Sequence, residues 1–354
     1  MAKKATKTAK TTNTNKATKR TSKGQKAIGP NSKSAKAPVK ATKSAKTRLA
    51  RASRNANIMG LATSGWVRSA EWLSVDSAPV ANAKRGLLFV LAGEGWALAK
   101  EELQQHLAPW QMARVEEKKA ESQFFSGVHG PVWVIYLSVM EPQSQHHGLL
   151  DRSEYARARD LVGAAAVQSF AHQLDHLLIE TEGLNESEEA GVLVGLECAS
   201  YSFVDTQKNL KKKTKRLPQL VFLQEGWSLS EEKSLDALAT GTAVNLARHL
   251  VNLPGNALNP KTMVDVVKAL FAKSSTTQIE VWNKARLMKE KMHLLLAVGH
   301  AGSEEPCMIH LRYRPKGMKK RKPVAFVGKG ITFDTGGLDI KPSSAMRWMK
   351  KDMG

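Results

Sequence analysis

Acidic side chains are missing from the first 70 positions, which hold 18 Lys and Arg. The net charge of +22 is therefore mostly local: the other 284 residues carry 36 basic and 32 acidic side chains. A uniformly basic globular surface is excluded. Cysteine is nearly absent. Cys198 and Cys307 are the only two, both in apolar surroundings, which excludes a disulfide scaffold or a cysteine-based zinc site and points to a reducing compartment. No apolar run reaches the ~18 residues that a bilayer span needs. The N-terminus also lacks the apolar core of a secretory signal. A soluble, cytoplasmic chain is expected, with no membrane partner.

Aromatics are absent before Trp66, and Ile28 and Val39 are the only bulky aliphatics up to Lys46. Such a segment cannot bury enough surface to offset its chain entropy, so residues 1–56 are expected to be a disordered Lys/Ala/Thr-rich tail. Three roles fit that composition. It can be a solvated tail without a partner. It can be a sequence-independent nucleic-acid contact, because spaced lysines neutralise phosphates and release counterions. An organelle transit peptide is the third, although Lys outnumbers Arg 13 to 4 across these residues, against the usual pattern.

From Arg85 the sequence turns globular. Gly86–Leu91 reads as a buried strand, 97–123 as helix broken near Pro109, and Pro131–Leu137 as a second strand. A long helix is predicted over 151–180, another over 190–203, and a strand over 217–223. The basic run Lys211–Arg216 reads as a solvated connecting loop. Ser228 and Glu231 have capping-box spacing for a helix that Pro254 and Gly255 end. Further on, helices are expected over 261–273 and 285–292, and strands over 279–282, 294–298, 307–313 and 324–327. Lys316–Lys322 is a basic turn. Strands alternating with helices predict an α/β layer arrangement. The expected organisation is the tail, an α/β domain over 57–225, and a connecting helix with a second α/β domain over 226–354.

The segment Val324–Gly354 concentrates the chemistry. An apolar run ends in Gly328-Lys329-Gly330, and Asp334, Lys341 and Asp352 follow within 23 residues of Lys329. Sites in open α/β sheets form beyond the carboxyl ends of strands. The glycines, with Gly336-Gly337 after Asp334, let backbone turn sharply beside an ion. Asp334 and Asp352 are oxygen donors suited to Mn²⁺, Mg²⁺ or Zn²⁺. Near a cation Lys329 could offer a neutral amine, whereas Lys341, followed by Pro342, could stay charged and stabilise an oxyanion. Spacing alone equally allows a surface loop of ordinary charges. Asp339, Lys350 and Lys351 read as loop or helix-surface charges, and Ser343 and Ser344 as caps for a helix over 345–351.

The run VGKGITFDTGGLDIKPSSAMRWMKKDMG resembles the signature region of the leucyl aminopeptidase (cytosol aminopeptidase) family over nearly every position. Ala247–Asn256 through Pro260, Leu294–Ser303 with Arg312-Tyr313, and Val192–Phe203 are similar to further stretches of that family. The resemblance implies an N-terminal α/β domain joined by a helix to an α/β metallopeptidase catalytic domain, here truncated. It implies two divalent metal ions, Mn²⁺ or Zn²⁺, with Lys329, Asp334 and Asp352 as metal ligands and Lys341 as the catalytic lysine. It also implies peptide substrates that lose their N-terminal residue, a metal-activated water attacking the scissile carbonyl, and a homo-hexamer. His249 and His300 depart from the family's usual residues; His300 can be a ligand or an ordinary loop histidine. The family continues past the position of Gly354 with another Asp and Glu ligand and an Arg, so the chain is expected to be an N-terminal portion of such an enzyme. The alternative is a catalytically incomplete relative that binds nucleic acid through residues 1–56.

Overall fold

A computed structural model describes residues 72–73, 83–117, 121–138, 144–145, 148–149, 153–201, 203, 218–223, 229–315, 317 and 322–354. The tail over 1–56, the run Lys211–Arg216, Ser228 and most of the basic turn Lys316–Lys322 lie outside the described residues.

Strand β2 (Arg85–Ala92) is the organising element. Its side chains alternate between two faces, as the period of two requires, and both faces are buried. That is why it reads as an unbroken apolar run. It pairs in parallel with β4 (Gly130–Leu137) on one side and β7 (His176–Glu182) on the other. β8 (Gln219–Phe222) and the short β1 (Trp72–Leu73) continue the sheet beyond β7, also in parallel, and β3 (Ser122–Gly127) closes the opposite edge antiparallel to β4. The order is β1-β8-β7-β2-β4-β3. A separate short pair, β5 (Ser144–Gln145) and β6 (Gly148–Leu149), lies between β4 and the next helix.

Helices cover both faces. α1 (Gly95–His106) and α2 (Pro109–Glu116) bury Ala99, Leu103, Met112 and Val115 against Leu87, Phe89, Leu91, Val132 and Val134. α3 (Glu154–Phe170) and α4 (Glu186–Ala199) pack on the other face, against Leu88, Val90, Trp133, Ile135, Leu177 and Ile179. The result is the α/β layer arrangement expected from alternating elements. At the end of β2 the backbone of α1 approaches β7 so closely that a Cβ on Gly95 would fall 2.1 Å from the Glu182 carbonyl oxygen. Only glycine fits there.

α5 (Glu231–Asn252) lies against α4. Asn245 Nδ2 donates to the Glu197 carbonyl at 2.8 Å, and Arg248 donates to the Cys198 carbonyl at 2.8 Å. α6 (Pro260–Phe271) follows, capped by Asn259, and buries Val266 beside Leu246 and Leu250. β9 (Thr277–Trp282) pairs antiparallel with β10 (Met308–Tyr313), with α7 (Lys284–Lys289) and α8 (His293–Gly299) between them. Two short turns close the chain, α9 (Ser343–Met346) and a 3-10 helix (Met349–Met353).

Several local expectations change. The helix predicted over 151–180 ends at Phe170, and His176–Glu182 is strand β7; an apolar run is ambiguous until its partners, here β2 and β8, are known. Predicted helix 97–123 is two helices, followed by strand β3 from Ser122. Leu294–Val298 is the helix α8 instead of a strand. Val324–Val327 pairs with no strand among the described residues, and Phe326 and Val327 are 94% and 97% exposed. A strand exists only where neighbours complete its ladder. The capping serine of α5 is Ser230, whose Oγ accepts from the Lys233 amide at 3.3 Å. Pro342, not Ser343 or Ser344, is the N-cap of α9, and the helix predicted over 345–351 is split.

Glu180 on β7 stands opposite Phe89 of β2, on the face that α1 covers. Burial, then the charges of Glu102 and Glu182, push its carboxyl up to about 7 from an ordinary 4.5. Between those two values the folded state holds a proton that the unfolded chain releases, so stability falls as pH rises through that window. Glu180→Gln is expected to raise unfolding free energy at pH 8 by about 1–3 kcal/mol and by nearly nothing at pH 4. Urea melts at both pH values check this; an equal gain at each would remove Glu180 as the cause.

Candidate functional site

The backbone from Ile331 to Gly354 is folded by its own short hydrogen bonds. Asp334 Oδ1 accepts from the Gly336 amide at 2.9 Å. The Lys341 amide donates to the Thr335 carbonyl at 3.0 Å and closes the loop between them. Gly336 takes φ +104, and a Cβ there would lie 2.2 Å from the Asp339 carbonyl oxygen. Glycine is therefore a steric requirement of this loop. The Asp334 amide reaches the Met349 carbonyl at 3.4 Å, which ties the loop to the terminal 3-10 helix. Phe333 packs on Gly255, just past the end of α5.

This folding brings the four candidate residues together as two ion pairs. Lys341 Nζ lies 2.6 Å from Asp334 Oδ2. Lys329 Nζ lies 2.8 Å from Asp352 Oδ1 and 2.7 Å from Oδ2. Oδ2 is shielded from solvent and sits outside hydrogen-bonding orientation. The hydrogen bond from Lys341, then that from the Gly336 amide, hold the Asp334 carboxyl below the usual carboxylate range despite some desolvation. The charge of Lys329 acts on Asp334 in the same direction, so the two pairs form one electrostatic group. Asp334 is accordingly an anion at neutral pH.

Two carboxylates and one amine can supply part of a divalent shell. Oxygen donors with a nitrogen donor suit Mn²⁺ or Zn²⁺. Lys329, Asp334 and Asp352 are the residues that would hold such a cation, and Lys329 and Asp352 already lie side by side as an ion pair. Carboxylates and histidines alone do not suffice: among the described residues no group of three or more His, Cys, Asp or Glu converges. The donor chemistry fits a cation as a partial shell.

Other candidates lie elsewhere. Asp339 contributes its carbonyl to the loop but no side-chain contact to the cluster. His249 is buried in α5, with the Tyr201 and Phe203 rings at 6.3 and 5.5 Å. His300 is an exposed residue at the end of α8. Lys351 rests 4.2 Å above the Trp348 ring. One contact had no signal in the sequence: Lys350, read as a surface charge, donates to the Asn252 carbonyl at the end of α5.

Residues 245–354 match the family described as the cytosol aminopeptidase family, catalytic domain. The probable cytosol aminopeptidase of Bdellovibrio bacteriovorus is 34% identical over 203 residues, 57% of this chain and 40% of that protein. The one of Alkalilimnicola ehrlichii is 32% identical over 210 residues, 58% of this chain and 42% of that protein. Among solved structures, a tomato leucine aminopeptidase mutant superposes with TM-score 0.57 at 20% identity, covering 80% of this chain and 56% of that one. The bottromycin maturation enzyme BotP in complex with Mn gives 0.54 at 20% identity, with 77% and 53% covered. The resemblance to the cytosol aminopeptidases holds, and the α/β fold is theirs. The chain spans about two fifths of the length of the curated relatives it matches.

Proposed function

We propose that this chain, similar to cytosol aminopeptidases over its last 110 residues, belongs to a metal-dependent aminopeptidase that removes N-terminal residues from peptides. The observation that supports the reading most is the coincidence of the family match with the Lys329, Asp334, Lys341 and Asp352 cluster. Lys329, Asp334 and Asp352 would hold the cation. Such a cation would supply Lewis acidity toward the scissile carbonyl and the attacking water.

The residues present divide the remaining work. Asp334 stays ionised at neutral pH because Lys341 and the Gly336 amide favour its anion. Lys341 keeps its ammonium oriented by that same carboxylate, with donor capacity left for a substrate carbonyl oxygen as negative charge develops there. Residues 57–225 form the first domain of this reading and 226–354 the connecting helix and catalytic part. Two metal ions, a homo-hexamer and a cytoplasmic location belong to the proposal through the family resemblance. Among the described residues no helix is long and apolar enough to cross a membrane. No observation favours the nucleic-acid reading of residues 1–56.

The test is a peptidase assay on the complete protein with an N-terminal-leucine amide. A chelator is expected to abolish turnover, and Mn²⁺ or Zn²⁺ to restore it. Calorimetric titration of the metal-free protein with Mn²⁺ should show binding that Asp352→Asn weakens by about tenfold or more. Full turnover in excess chelator would overturn the assignment.

A further inference from the structure

The last carbonyls of a helix have no donor within it. At the end of α5 the Leu253 amide serves His249 and Leu250, and the Asn252 carbonyl receives the Lys350 ammonium at 2.5 Å. A cation there also meets the negative end of the helix dipole. The same ammonium stands 5.8 Å from the centre of the Phe203 ring, an arrangement that favours positive charge. Asn252 is itself held, since its side-chain amide donates to Tyr201 Oη at 3.1 Å. Gly354, four residues after Lys350, lies so close to α5 that a Cβ on it would be 2.9 Å from Val251 Cγ2. The Met349–Met353 turn is thus moored to the end of α5.

Both carboxylates of the cluster depend on that turn. Asp352 is part of it, and the Met349 carbonyl accepts the Asp334 amide. We propose that Lys350 is a positioning residue for the cation site. By locking the turn onto the carbonyl end of α5 it fixes Asp352 directly and Asp334 through Met349. The inference rests on the reading of Asp334 and Asp352 as cation ligands. Lys351 has the same charge and the neighbouring position, but it lies over Trp348 instead, which makes it the internal control.

Two measurements on the full chain test this: amide hydrogen exchange and calorimetric Mn²⁺ titration of Lys350→Met, Lys350→Arg and Lys351→Met. Lys350→Met keeps the aliphatic stem and removes the ammonium. It is expected to speed exchange at the Asp334, Lys351 and Gly354 amides by about tenfold and to weaken Mn²⁺ binding by a similar factor. Exchange in β2 should not change. Lys350→Arg should restore both readouts, and Lys351→Met should match the parent. Parental exchange in Lys350→Met, or the same acceleration in Lys351→Met, overturns the proposal. If the parent takes up no Mn²⁺, the ligand reading fails on its own. Exchange then decides about Lys350: acceleration upholds the mooring and parental rates reject it.

Discussion

Replacing Lys341 by Ala is expected to lower kcat of the complete protein by about two to three orders of magnitude, the usual effect of removing one preorganised oxyanion donor. The argument is geometric. Lys341 sits at the end of a loop closed by its own amide on the Thr335 carbonyl, and its ammonium is aimed by Asp334 Oδ2 at 2.6 Å. A donor held this way needs no reorganisation when charge develops on a carbonyl oxygen. It acts mainly in the transition state, so kcat and kcat/KM should fall together while KM changes little. Metal content should stay near the parental value, because Asp334, Asp352 and Lys329 remain. Asp352→Asn should behave differently, losing metal and activity together. Parental turnover in Lys341→Ala would remove the lysine from its role, and loss of metal in that variant would make it a ligand-positioning group instead.

Strand β2 is legible because burial on both faces imposes an unbroken apolar run over Leu87–Ala92, whatever its partners. Leu174–Ile179 and Leu294–Val298 are not. Each is a short apolar run that helix and strand tolerate equally, and long-range pairing decides between them. His176–Ile179 becomes strand because β2 lies on one side and Gln219–Phe222 on the other. Leu294–Val298 has no such partner among the described residues and closes local hydrogen bonds as a helix. Val324–Val327 has the composition of a strand but exposes its side chains, since composition cannot supply the neighbour.

The glycines of Val324–Gly354 signal a sharply turning segment, but spacing alone also allows an ordinary surface loop, and it is the resemblance to the family's signature region that singles out Lys329, Asp334, Lys341 and Asp352. Which amine meets which carboxylate could not be read from either. Lys329 spans 23 residues to Asp352, and Lys341 turns back seven residues to Asp334. Either pairing satisfies the charges, and the Thr335–Lys341 closure selects the one observed. Lys350 was invisible for a different reason. Its partner is a main-chain carbonyl 98 residues away, and a carbonyl carries no sequence signature.

Phe89→Ala is expected to cost about 3–5 kcal/mol of unfolding free energy, the range for truncating a buried aromatic. Phe89 is fully buried in the central strand, between β4 and β7. The space left by its ring is walled by strands on both sides and by α1 above, so little can collapse into it, and the cavity adds to the lost transfer energy. Phe124→Ala on edge strand β3, where the ring is 44% exposed, should cost clearly less. The truncation has a second consequence that separates it from a generic core defect. Phe89 is the register partner of Glu180, whose raised carboxyl owes most to burial. Opening that space to water should return the Glu180 carboxyl toward its ordinary value and flatten the fall of stability between about pH 4.5 and 7. Chemical denaturation across that range checks both effects. A loss below about 1 kcal/mol would contradict the packing argument. A full loss with an undiminished pH slope would mean that Phe89 does not shield Glu180, and that the charges of Glu102 and Glu182 dominate the shift.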